Sequence, residues 1–169
     1  MKTRIIHSFR VAIHYALIAL LTFYGAYYLT SLIHTTSRYA PVGALWAMIV
    51  GISVAQHTGK ETVIKAKTQI LGGLLGAVTA FTYLLVLPAN PYGMVLLIGC
   101  VVLICQLMGW PDYSVSAGLT VAVILFFSQI YPDLSPLTNA SIRFAEVIIG
   151  SVIAVLVVQF FSFTERTAE

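Results

Sequence analysis

Charge is what this sequence has least of. Only 9% of its 169 residues are Asp, Glu, Lys or Arg, against about a quarter in soluble domains, while 59% are apolar. No water-soluble fold of this length covers its surface with so few charges, which excludes a soluble domain. Cysteine is also scarce: Cys100 and Cys105 are the two. On a helix that spacing points them to different faces, so they should not bridge, and without histidine partners they form no zinc pattern. H-E-x-x-H, G-x-S-x-G and a Walker loop are all missing. No helix carries a histidine and a carboxylate at ligand spacing, and the polar loops are too short for a catalytic domain. The expectation is a chain that is not an enzyme and holds no metal or cofactor.

What the sequence does have is long apolar runs. Six stand between polar punctuation: about 11–32, 42–56, 68–87, 92–108, 114–130 and 142–163. A bilayer crossing takes about 20 residues, so six crossings with short loops occupy nearly the whole of residues 1–169 as one membrane domain. Spanning backbone must satisfy its own hydrogen bonds, and the runs are too long and continuous for barrel strands, so the fold class is all-α integral membrane. The stretch Val11–Ile33 is too long for the core of a signal peptide and no clear small-x-small site follows it, so it reads as a retained first helix. The net charge of +3 does not point to nucleic acid, because most basic residues flank apolar runs; the partner they imply is the lipid bilayer.

Orientation follows from those residues. With the N-terminus in the cytoplasm, Lys2, Arg4, Arg10, Lys60, Lys65, Lys67 and Arg166 lie inside, and Arg38 and Arg143 outside. The reverse arrangement inverts the bias, so both termini are expected in the cytoplasm. Tyr24, Tyr27 and Tyr28 then fall near the outer interface, and Phe160, Phe161 and Phe163 near the inner one. A weak repeat is also visible. Lys65, Thr68, Gly72 and Gly76 have the spacing of Arg143, Glu146, Gly150 and Ala154. Two halves of three helices each would enter the membrane from opposite sides, as inverted repeats. The second and fifth segments, both short and interrupted by Gly51 and Gly118, occupy matching places in those halves, where transporter binding sites form.

Few residues can carry chemistry. Gln69, Gly72, Gly76, Thr79 and Tyr83 share one face of the third helix. They are either a packing surface, since small residues let backbones approach in lipid, or the wall of a substrate path. Glu146, about one turn into the sixth helix, is costly at membrane depth and needs a partner; Arg143 stands three residues before it on the same face. The two are an interfacial anchor or a coupling pair. Gly150 follows on the same helix as a packing glycine. His14, near the inner end of the first helix, could titrate near neutral pH or serve as a hydrogen-bonded interfacial residue. Gln56, Gln106, Gln129 and Gln159 should face other helices. Asp112 reads as a turn residue, and Asn139-Ala140-Ser141 matches a glycosylation sequon.

The stretch Tyr39-Ala40-Pro41-Val42-Gly43-Ala44-Leu45-Trp46-Ala47, then a basic loop, then Lys67 and Gly72-Gly73-Leu74-Leu75-Gly76, resembles the membrane domain of the fusaric-acid-resistance-like, aromatic acid exporter superfamily. Arg143-Phe144-Ala145-Glu146-Val147-Ile148-Ile149-Gly150 is similar to its last-helix signature. The resemblance covers about residues 4–163. It implies efflux of aromatic carboxylic acids or related organic anions across a bacterial inner membrane. Plant malate channels share the membrane domain, so an anion-conducting channel is also implied. Larger members carry cytoplasmic domains or a second membrane unit, and this chain has neither, so a homo-oligomer is expected. A non-transporting membrane scaffold or accessory subunit is the alternative.

The topology is open to a direct test. In a variant with both native cysteines replaced by serine, single cysteines at Thr3, Ala89 and Ala168 are labelled with an impermeant maleimide. Ala89 should label from the outside only, and Thr3 and Ala168 only after the membrane is opened. Labelling of Ala89 from the cytoplasmic side alone overturns the arrangement.

Overall fold

The structure, a computed structural model, describes residues 2–33 and 40–166, with the side chains of 2–7, 10, 32–33 and 162–166 left aside. Arg38 and Tyr39, and the side chains of Lys2, Arg4, Arg10, Phe163 and Arg166, lie outside the described residues. Every regular element among the described residues is an α-helix: α1 Lys2–Ile33, α2 Ala40–Val54, α3 Gly59–Val86, α4 Pro91–Leu107, α5 Pro111–Ile130 and α6 Pro136–Arg166. Four are long and apolar enough to cross a membrane, through Val11–Ser31, Gly59–Val86, Pro111–Ile130 and Pro136–Phe161. The 15-residue α2 and 17-residue α4 are shorter. At about 1.5 Å per residue they reach about 22 and 25 Å, less than the roughly 30 Å of a bilayer's hydrocarbon.

Each apolar run became a helix, but several starts moved toward the N-terminus, because polar first turns are helical too. α1 begins at Lys2 rather than near 11. α3 begins at Gly59 rather than 68: the Glu61 N–H donates to Thr58 Oγ1 at 3.2 Å, and Lys60, Lys65 and Lys67 ride on exposed turns. α6 begins at Pro136 rather than 142, with Thr138 N–H donating to Ser135 Oγ at 3.1 Å and Pro136 at the first helical position, where its missing N–H costs nothing. α5 opens at Pro111, which puts Asp112 in its first helical turn instead of a loop, where a carboxylate suits the positive end of the helix dipole. At 20 residues α5 is span-length. Of the second and fifth segments, only the second, α2, is therefore short; the other short helix is α4.

The turns are closed chemically. Asn90 caps α4 by accepting from Gly93 N–H at 2.8 Å, and its amide donates to the Tyr83 hydroxyl at 3.2 Å and to Pro88 O at 3.1 Å. α4 ends in Gly109 with φ of 74°. There Gly109 N–H reaches Gln106 O at 3.1 Å and Trp110 N–H reaches Cys105 O at 2.8 Å. That pair of bonds with a left-handed glycine is a Schellman ending, and a side chain at Gly109 would be strained.

Contacts group the chain into two compact units, Met1–Ala66 with Ile148–Glu169, and Lys67–Val147. In the first, α1 packs on α2 around Ala26, Ala44 and Ala47, with Phe23, Tyr27 and Ile149 against them. α6 approaches α2 through Gly150, where a Cβ would sit 2.5 Å from Ala47 O and 3.0 Å from Gly51 N. In the second, α4 packs on α5 around Ala77, Val101, Cys105, Ala117, Val121, Ile124 and Leu125. Cys100 is exposed and Cys105 buried.

α3 lies against α5 through Gly72 and Gly76. A Cβ on Gly72 would stand 2.6 Å from Tyr113 O and 2.7 Å from Ser116 Cβ. One on Gly76 would overlap the Ala117 carbonyl oxygen and lie 2.9 Å from Thr120 Cβ. Ser116 Oγ donates to Gln69 O at 2.8 Å across the same seam, fully buried. Gly99, by contrast, has nothing within 4 Å of where its Cβ would be. Gly76→Ala should therefore lower the thermal unfolding midpoint in detergent, through an overpacking cost of about 1–3 kcal/mol. Gly99→Ala should leave the midpoint unchanged or raise it slightly. Equal midpoints for the two variants would refute the close contact.

Candidate functional site

The two charges of α6 meet at full burial. Arg143 is 0% exposed and Glu146 1%, with Arg143 Nη1 2.8 Å from Glu146 Oε2. Because α6 starts at Pro136, Glu146 is its eleventh residue rather than one turn in, within a candidate span of 26 residues. That places it about 15 Å along the helix. The three-residue step sets both side chains on one face.

α5 supplies the other side. The Arg143 guanidinium carbon stands 4.2 Å from the centroid of the Phe127 ring, within cation–π range, and Phe127 stacks on Tyr131 at 5.9 Å and 25°. One turn before Arg143, fully buried Asn139 donates to Ile124 O at 2.9 Å and Ser128 Oγ at 2.8 Å. These bonds fix α6 against α5 beside the ion pair. They also bury the sequon asparagine inside the fold, where it is not presented to solvent. None of the three Arg143 guanidinium nitrogens makes a hydrogen bond of good geometry. The arrangement balances one charge against another; among the described residues no three His, Cys, Asp or Glu side chains come together.

The other residues singled out from the sequence do not join this cluster as one face. The stripe on α3 divides. Gln69, buried at 6% exposure, and Gly72 and Gly76 lie on α5. Thr79 donates to Leu75 O of its own helix at 2.8 Å. Tyr83 turns to the α4 cap, bonding Asn90. Thr79, Thr82 and Tyr83 line an open hollow of about 400 Å³ whose remaining walls, Val78, Val86, Leu87 and Leu97, are apolar. His14 belongs to the first unit, its ring 3.9 Å from that of Phe161. Gly150 packs on α2, as described above. Phe127 and Asn139 are the site residues that the sequence reading missed. Asn139 had a signal, four residues before Arg143 on the same face of the helix; Phe127, on another helix, had none.

The chain matches the family described as fusaric acid resistance protein-like over residues 26–157. It belongs to that family. The matched stretch runs from late α1 into α6 and holds Trp46, Gly72, Gly76, Phe127, Arg143 and Glu146. No curated protein and no solved structure matches the chain. For this fusaric acid resistance protein-like chain, then, the local geometry is the guide to chemistry.

A double-mutant cycle measures how firmly the pair is held. Arg143→Met leaves a buried carboxylate without its guanidinium and should cost about 3–5 kcal/mol. Arg143→Met with Glu146→Gln removes both charges and should recover part of that loss. Unfolding in detergent micelles reads Arg143→Met, Glu146→Gln and the double variant. Strict additivity of the two single changes would show that the charges do not interact.

Proposed function

We propose that this chain is a small transport protein that exports aromatic carboxylic acids or related organic anions. In this reading all six helices cross a bacterial inner membrane, both termini are cytoplasmic, and the chain works as a homo-oligomer without enzymatic activity. The observation that carries it is Arg143, a fully buried guanidinium held over an aromatic ring in a chain of the fusaric acid resistance protein-like family. A positive charge inside a membrane protein is expensive and tends to mark an ion or substrate path, and a guanidinium favours planar carboxylates. The family's name refers to resistance against an acid of this class, and the six apolar helices supply the passage through lipid.

One observation favours a second reading. The ion pair is closed off at 0% and 1% exposure, as it would be if it only locked α6 to α5 in a membrane scaffold. Flux separates the two. Purified protein in liposomes should accelerate uptake of a labelled aromatic carboxylate over protein-free vesicles, and a pH gradient should drive it. Flux down the substrate gradient alone indicates a channel, and no flux a scaffold. Arg143→Gln, if folded, should lower the flux at least tenfold. Flux equal to that of the wild type would remove Arg143 from the path.

A further inference from the structure

Beside the seam of α3 and α5 lies a hollow that the fold leaves unfilled. Leu71 and Leu75 of α3, with Trp110 and Tyr113 at the start of α5, line about 270 Å³. Leu71 is 50% exposed and Trp110 44%, so the hollow opens outward. The two aromatic rings meet edge to face, 6.1 Å apart and at 74°, and form one wall. We propose that this hollow holds an anionic glycerophospholipid, its phosphate on Lys67 and one acyl chain against Leu71, Leu75 and Trp110. The site needs α3 and α5 to cross the bilayer, and it is independent of what the chain exports.

Three observations support it. The first is depth. α3 has 28 residues, about 42 Å of helix at 1.5 Å per residue, against roughly 30 Å of hydrocarbon. The roughly 20 residues that span that layer, counted back from Val86, reach Lys67. The 20-residue α5 opens just past Trp110. Gly72 meets the Tyr113 carbonyl and Gly76 the Ala117 carbonyl, an equal step on both helices, so α3 and α5 run parallel and in register. Lys67 and Trp110 thus reach the same interface, where tryptophan and lysine both anchor helices. In the orientation proposed above it is the cytoplasmic one.

The second is donor supply. Exposed Lys67 stands one turn before Leu71 on the same face of α3. The Lys67 ammonium, the Trp110 indole N–H and the Tyr113 hydroxyl have no hydrogen-bond or ion-pair partner among the described residues. Three donors, one of them charged, therefore border an apolar hollow. A phospholipid matches that order of groups: phosphate oxygens for the ammonium, ester oxygens for the neutral donors, then a hydrocarbon chain.

The third is the sign of the charge. Asp112, next to Tyr113 in the chain, does not line the hollow, so Lys67 decides the field at its mouth. A zwitterionic headgroup carries a cation of its own and loses most of the attraction to lysine. An anionic headgroup keeps it.

Quenching of Trp110 by lipids brominated on the acyl chain tests the site. The full chain is reconstituted in phosphatidylcholine bilayers that contain rising fractions of brominated phosphatidylglycerol or of brominated phosphatidylcholine. The emission of Trp46, the other tryptophan, is measured in Trp110→Phe and subtracted. Half-maximal quenching of Trp110 should need about fivefold less of the anionic lipid, the worth of one lysine beside anionic headgroups. Lys67→Gln should bring that ratio to one and leave quenching by the brominated phosphatidylcholine unchanged. Lys67→Arg should keep the preference. Lys65→Gln removes the same charge from another face of α3 and should also keep it. Equal quenching by the two lipids in the wild type overturns the proposal, as does a preference that survives Lys67→Gln or is lost equally in Lys65→Gln. Quenching by neither lipid, as when a second copy of the chain covers the ring, overturns it too. Lys67 is exposed, so these variants should fold. Flux in liposomes free of anionic lipid reads export separately: its presence or absence leaves the lipid site standing.

Discussion

The seam between α3 and α5 is backbone against backbone, and the second unit is built on it. In lipid, helices gain nothing by hiding apolar side chains from one another, since the acyl chains are as apolar as leucine. What holds them is close contact and hydrogen bonds. Gly72 and Gly76 allow the first, by leaving no Cβ between α3 and the Tyr113 and Ala117 carbonyls. Ser116 provides the second, donating to Gln69 O. Once α3 is fixed to α5 in this way, the positions of Phe127 and Ile124 on α5 are set, and with them the ring and the carbonyl that receive Arg143 and Asn139 from α6.

The same logic explains why a buried ion pair is tolerable. Each ion alone would cost several kcal/mol to bury. Arg143 and Glu146 offset one another at 2.8 Å, the ring of Phe127 adds attraction to the cation, and the Asn139 bonds prevent α6 from turning the pair toward lipid.

Much of this was legible in the sequence. Six apolar runs gave six helices because a hydrophobic stretch bounded by Pro88-Ala89-Asn90-Pro91 or Gly109-Trp110-Pro111 has no other way to satisfy its backbone. The proximity of Arg143 and Glu146 followed from a three-residue step. The starts of α1 and α3 did not, because lysine and arginine ahead of an apolar run look like loop, although a helix continues readily where its charged turns face water. α6 begins before its apolar run for a different reason. Thr138 and Asn139 look like loop residues until Asn139 is seen to bond the facing helix. The stripe on α3 has helical spacing, yet periodicity cannot tell that α5 covers one end of it while Tyr83, toward the other, bonds the α4 cap.

The two short helices bear on the membrane itself. α4 presents Tyr92, Val95, Leu96, Leu103 and Leu107 outward, an apolar face that would meet acyl chains directly if α4 crosses the bilayer as proposed. A crossing by a rod of about 25 Å draws the headgroups of both leaflets inward around it. Such a dimple is cheaper in a thin bilayer than in a thick one, and it attracts neighbouring proteins that share the same mismatch. The stability and clustering of this chain would then depend on the acyl length of its host lipids, an influence exerted by geometry alone.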